Sequence, residues 1–390
     1  MPRPSYSDTV WAELARALDA GAIDIDEDED DILDLLYHAI AVDEASKRSY
    51  AGEVTRRQWT LDDFNPVGFR RRFRFECADD VRRFMRAIDF PARWTTASGC
   101  AFTGEEAMSL YLRRMTYPVR FCDLQDFGFT AQASALSDLF KDVGMWMYET
   151  HARRLLQGGM TKWRHRAQMY ANAIDAKTGV PYGDIIGFID GTSRAICRPS
   201  EDQREVYDGH HHTHALAYLS VVGPDGLFLF THGPESGRRN DNFMVSMAAL
   251  VYGEDGSAAN SLMGHLHAAT GKAFKVYGDS AFANTHYSHS AYPRARATPQ
   301  ELVYNNHMNS GRIVVEWGFG DVIVHFAYLD FEKSHKLLLS PVAIHYLNGH
   351  FLWNCITCLY GDKKTGAYFD CEPPTLEEYI ALTEVGEVRE

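Results

Sequence analysis

Gly187-Phe188-Ile189-Asp190-Gly191-Thr192, preceded by Asp184-Ile185-Ile186, decides how the rest of this chain is read. The run is short, apolar and β-branched, and a turn residue follows its acid. It therefore predicts a buried strand that ends at Asp190, with the carboxylate at the mouth of a cleft. An acid so placed is a candidate metal ligand. An Asp-Gly pair is also an ordinary turn, so the functional reading depends on whether other carboxylates converge on Asp190.

Downstream, the periodicity alternates between strands and helices. A second strand is expected over His214 to Val221, a hairpin turn at Gly223-Pro224-Asp225-Gly226, and a third strand over Leu227 to Phe230. A helix follows from about Asn240 to Val251, then a fourth strand from Ala273 to Tyr277 that leads into Gly278-Asp279-Ser280. Thr298-Pro299-Gln300-Glu301 opens another helix, since Thr is a good cap and Pro fits the first turn. Its pattern continues past Gly311 through Ile313, Glu316, Trp317 and Phe319. Three antiparallel strands, a helix, a fourth strand and further helices give the order of a ribonuclease H-like α/β fold with a mixed sheet.

Upstream, the chain reads as helical. Ile32, Leu35, Leu36 and Ile40 recur at helical spacing, so a short amphipathic helix is expected from about Asp31. Thr103 with Glu106 forms a capping box. A second helix is expected over Val119 to Phe127 and, after Gly128, a third from Ala131 towards Leu156 with Thr130 as its cap. That arrangement is helix-turn-helix-like; a plain three-helix packing unit reads equally well, because Ala131 to Phe140 holds no Arg or Lys to reach a base edge.

Asp190 and Asp279 fall at equivalent places after two strands, and Glu316 lies on a later helix that can cover the sheet edge. Clustered carboxylates persist only where protons or cations offset their charge. Oxygen-only ligands select Mg²⁺ or Mn²⁺ over zinc, and two such ions can activate a water and stabilise the leaving oxygen of a phosphodiester. A nucleic-acid backbone is the matching substrate.

The same residues carry a family resemblance from about Asp62 to Ile380. Gly187 to Thr192, Cys197-Arg198-Pro199-Ser200, Tyr207-Asp208-Gly209-His210, Gly237-Arg238-Arg239-Asn240-Asp241, Tyr277-Gly278-Asp279-Ser280-Ala281, Val315-Glu316-Trp317-Gly318-Phe319-Gly320 and Cys358-Leu359-Tyr360-Gly361 together resemble the PIF/Harbinger-type transposases, D-D-E endonucleases with domesticated nuclease relatives. The resemblance implies that Asp190, Asp279 and Glu316 are the catalytic, metal-binding acids, loaded with two Mg²⁺ or Mn²⁺ ions. It implies DNA cleavage at terminal inverted repeats and transfer of the freed 3′-hydroxyl to target DNA. It also implies action in the nucleus and a separately encoded Myb/SANT-like DNA-binding partner. Two departures stand out. His210-His211-His212-Thr213-His214 replaces a stretch in which the family places fixed basic charge between two His residues, and Asn240 replaces a His before Asp241.

Other signals are weighed beside this. His210 and His214 are candidate DNA contacts; a zinc site on one strand face, with His212, is the alternative. Arg238 and Arg239 are candidate backbone contacts. Arg312 can pair with Glu316 four residues on, or touch phosphate. Asp241 is a supporting acid outside the triad. Cys355-x-x-Cys358 reads as a pair of buried thiols in an apolar helix from Tyr346 to Tyr360.

The formal charge of −14 sits at the two ends: residues 1–60 hold 14 acids against 6 bases and residues 369–390 hold 7 against 1, which leaves the middle neutral. Between residues 66 and 120 there are 11 bases and 6 acids, either a salt-bridged helical surface or a phosphate-facing one. The seven cysteines are odd in number and scattered, which indicates reduced thiols. No membrane span or export signal is indicated. The expected organisation is an acidic, partly disordered segment (1–60), a helical helix-turn-helix-like region (61–180), the ribonuclease H-like D-D-E endonuclease domain (181–368) and an acidic tail (369–390). Homo-oligomers are allowed and no stoichiometry is implied. Two functions compete: an active metal-dependent DNA endonuclease or transposase, and a catalytically silent or domesticated DNA- or protein-binding adaptor that keeps the fold.

Overall fold

The computed structural model describes residues 60–126, 129, 131–179, 183–201, 203–209, 212–337 and 339–383. The expected helix near Asp31, its acidic block, Gly128, Thr130, His210 and His211 lie outside them.

The helical part begins with α1 (Pro66–Phe73), where Asn65 accepts a bond from Gly68 N at 2.7 Å and Pro66 opens the first turn. Helix α2 (Ala78–Ala87) and a ribbon of β1 (Arg93–Thr95) and β2 (Ala101–Thr103) follow. Helix α3 (Gly104–Thr116) carries the capping box of Thr103 and Glu106. The helix expected from Val119 is the shorter α4 (Phe121–Asp126). Helix α5 (Ala133–Met147) starts later than expected, after Gln132, and runs into a π-helical segment, Tyr148–Gln157. It buries Leu136, Leu139, Phe140 and Val143, so this face is committed to packing. Several arginines of the basic stretch are paired. Arg82 binds Asp62 at 2.6 Å and Glu105 at 2.7 Å, and Arg83 binds Glu377 at 2.7 Å. Helix α6 (Ala167–Thr178) leads to the sheet.

The sheet contains β3 (Ile185–Ala195), β4 (Tyr207–Asp208), β5 (Thr213–Val222), β6 (Phe228–Ser236), β7 (Lys275–Gly278) and β8 (Ser288–Ser290). β5 pairs antiparallel with β3 on one side and with β6 and the short β4 on the other; β7 is parallel to β3, and β8 to β7. This mixed order is compatible with a ribonuclease H-like domain. β6 extends beyond its expected end at Phe230, and the helix expected from Asn240 to Val251 is the shorter α7 (Asp241–Met247) with Asn240 as its cap. Helix α8 (Leu262–Thr270) precedes β7.

Two long helices fix the assembly. α9 (Pro299–His325) begins at a capping box of Thr298 and Glu301 with Pro299 in the first turn, as its sequence indicates. Its buried stripe is Gly311, Val314, Val315, Gly318, Phe319 and Val322. A Cβ on Gly311 would come within 2.8 Å of Phe188 Cζ, so only glycine lets the helix lie this close to β3. α10 (Val342–Tyr360) is buried over nearly its whole length and carries polar groups that tie the two halves together. Asn348 donates to Tyr111 Oη at 2.9 Å and to the Gly144 carbonyl at 2.7 Å; Asn354 accepts from Phe228 N and donates to its carbonyl, both at 2.9 Å. Buried groups bonded in this way specify one seating of the helix. After α11 (Thr365–Phe369), α12 (Leu376–Ile380) buries Leu376 and Tyr379, so the chain through Thr383 stays on the body.

Gly311→Val would force α9 off β3. Overpacking of this kind costs about 1–3 kcal/mol, so the denaturation midpoint should fall; an unchanged midpoint would contradict the close seating.

Candidate catalytic site

β3 is apolar and buried from Ile185 to Ile189 and then turns polar. Asp190 is not its end. The strand continues to Ala195, with Asp190 opposite Ser220 and Gly191 opposite Leu219 on β5. A glycine inside a strand has the sequence mark of a turn, but it can also mark a close approach. A Cβ at Gly191 would lie 2.1 Å from Asp241 Oδ1, so the glycine makes room for a second carboxylate.

The parallel ladder pairs Phe188 with Tyr277. The ladder ends there; Asp279 follows directly after β7, and its charge reaches Asp190. Asp279 Oδ1 accepts from Ala281 N at 2.8 Å and its carbonyl from Phe282 N at 3.2 Å, which closes a tight turn. Glu316 comes from α9, with its side chain about half exposed. Arg312, one helical turn earlier, joins the set: Nη1 lies 2.8 Å from Asp190 Oδ2 and Nη2 lies 3.1 Å from Glu316 Oε1. One guanidinium therefore spans two acids that are far apart in sequence.

Burial pushes the Asp190 carboxyl up to about 6, with Asp241 and Asp279 adding to the rise, while Arg312 and the Gly191 amide pull it down. Asp241 is also raised, first by burial and then by Asp279. Asp190 and Asp241 thus both lie within reach of the Asp279 charge. Among the described residues no three His, Cys, Asp or Glu side chains are grouped closely enough to hold a metal as they stand. The guanidinium holds Asp190 and Glu316, and Asp279 Oδ1 is bonded within its own loop. The donor set is all oxygen and a cationic group already bridges two of its members, so the residues fit Mg²⁺ or Mn²⁺.

The other candidates are dispersed. Asp241 opens α7 behind Gly191, and Asn240, the departure from the family pattern, is the helix cap that accepts from Phe243 N at 2.9 Å. Arg238 pairs with Glu205 at 2.8 Å, and the Arg239 guanidinium stacks 4.3 Å from the Phe243 ring centre. His214 faces Tyr207 across β4 and β5. It lies six residues along the ladder from the Asp190 level, about 20 Å at roughly 3.3 Å per residue. His210 is outside the described residues, and His212 sits in a turn with φ 54°, so it does not share a strand face with His214 and the zinc alternative loses its geometry. Cys355 is buried and Cys358 partly so; burial raises both thiols well above their ordinary value. One contributor gave no signal in the sequence. Asn242 donates to the Ala281 carbonyl and accepts from Ala283 N at 3.1 Å, so it clamps α7 to the loop that carries Asp279.

Residues 189–347, about two-fifths of the chain, match the family model of the DDE superfamily endonucleases. That span contains Asp190, Asp279 and Glu316, and the match supports a DDE-type, transposase-derived nuclease. No curated protein and no solved structure matches the chain.

The raised Asp190 carboxyl has a consequence for stability. Its folded value near 6 exceeds the ordinary 3.8, so the folded state holds the proton more tightly and loses stability as pH rises between these values. Without metal, Asp190→Asn should be more stable than the wild type at pH 7.5 by roughly 1–2 kcal/mol. The gap should close as pH falls towards 4. Melting curves at both pH values check this; a gap that is constant with pH would refute it.

Proposed function

We propose that the protein is a divalent-metal-dependent DNA endonuclease of the PIF/Harbinger transposase type, which cuts at transposon ends and transfers the 3′ end to target DNA. The observation that supports the reading is that Arg312 spans Asp190 and Glu316, while the Asp279 charge, just after the neighbouring parallel strand, reaches Asp190. The family match over residues 189–347 and the quoted motifs support it.

Asp190 and Asp279, presented by adjacent parallel strands, would hold Mg²⁺ or Mn²⁺, and Glu316 would close the site from α9. When bound, a pair of such ions activates a water and stabilises the leaving oxygen of the phosphodiester. Gly191 and Asp241 keep the floor of the site close-packed, and Asn242 fixes the Asp279 loop. The half-exposed Glu316 leaves that side open to a DNA backbone. Action in the nucleus and a Myb/SANT-like partner that recognises the inverted repeat belong to the same proposal.

The test is nicking of DNA carrying the cognate inverted repeats, with the partner protein and Mg²⁺ supplied. Asp190→Ala and Asp279→Ala should each slow nicking by about a thousandfold, because metal-borne charge stabilisation is worth several kcal/mol in the transition state. Equal nicking by the wild type and Asp190→Ala would dismiss the triad.

A further inference from the structure

Arg312 occupies the place where two of the three acids meet. Its guanidinium is a fixed positive charge whose planar fork matches carboxylate oxygens, and here each arm takes a different carboxylate, at 2.8 and 3.1 Å. Asp190 is only 18% exposed in its side chain; left alone it would be a poorly solvated charge with two further acids nearby. The guanidinium supplies what a bound cation would supply. It is also lightly anchored. Arg312 Nε is buried without a hydrogen-bond partner among the described residues, so the bonds to the two carboxylates are what orient the group. The Tyr277 hydroxyl is likewise buried and without a hydrogen-bond partner among the described residues, on the strand that leads into Asp279. The floor of the site therefore has polar capacity that its present contacts do not use.

We infer that Arg312 is the counter-cation of the metal-free site, and that a divalent ion binds by displacing its guanidinium from Asp190. The inference rests on the metal-dependent reading of the same acids. Two consequences follow. Metal-free protein folds with Asp190 and Glu316 already drawn together, because the guanidinium offsets their repulsion. Metal binding is weakened, because an ion must break the charge-assisted bond between Arg312 and Asp190 before it gains that ligand. Arg312 is thus a positioning residue that sets the metal affinity of the site.

The test is a Mn²⁺ titration of the full chain, followed by the spin-resonance signal of free Mn²⁺, together with melting temperatures with and without Mg²⁺. Arg312→Met should bind Mn²⁺ on the order of tenfold more tightly, since a competing charge a few ångströms from the ion is gone. Arg312→Lys, a point charge that cannot span both acids, should fall between it and the wild type. Metal-free Arg312→Met should melt below the wild type and gain more from Mg²⁺. Arg296→Met, on an exposed loop beyond β8, should change neither reading. If Asp190→Ala abolishes Mn²⁺ binding while Arg312→Met binds no more tightly than the wild type, the counter-cation assignment is wrong and the metal site stands. If the wild type and every variant fail to bind Mn²⁺, the metal-dependent reading falls and this inference with it. Should Arg312→Met not fold, Arg312→Lys decides: tighter binding upholds the inference and unchanged binding overturns it.

Discussion

How closely α9 can lie on the sheet governs the rest of the site. Gly311 rests against the Phe188 ring, and Gly318 faces Phe228 with 3.2 Å between the ring and a notional Cβ. Larger residues at these points would lift the helix, and Arg312 and Glu316 would move with it. Arg312 reaches Asp190 because the residue before it has no side chain. Packing, rather than any local property of the acids, converts an i,i+4 pair on a helix into a bridge to a strand 122 residues earlier.

Charge sets the second constraint. Burial raises the proton affinity of Asp190 and Asp241, and nearby carboxylates add to the effect, Asp241 and Asp279 at Asp190 and Asp279 at Asp241. A fold that gathers such groups needs positive charge at the centre. Arg312 provides it within the chain. The buried polar bonds of α10, from Asn348 to the helical region and from Asn354 to β6, keep the surrounding frame fixed, so the acids are held by a scaffold independent of their own repulsion.

Much of this was legible in the sequence, and the failures have physical reasons. The four expected strands in their order, the capping box at Thr103, the Thr298 cap and the helix through Glu316 follow from local periodicity and turn chemistry and are present; the short β4 and β8 left no such mark. Asp190 was misplaced at a strand end because the cause of Gly191 lies 50 residues away, in the carboxylate of Asp241. The pairing of Arg312 with Glu316 could be read from helical spacing; its reach to Asp190 could not. Arg238 looked available to a phosphate until the fold brought Glu205 to it. Asn242 has no periodic or compositional mark, since its role comes only from the Asp279 loop that folds against it.

The central claim is that Asp190, Asp279 and Glu316 form one divalent-metal site. Anomalous diffraction from crystals grown with Mn²⁺ tests it most directly. The account predicts a Mn²⁺ peak ligated by Asp190 and Asp279 and flanked by Glu316, with the Arg312 guanidinium withdrawn from Asp190. A fully bound Mn²⁺ elsewhere, with the Arg312 bridge intact and no density among the three carboxylates, would contradict it.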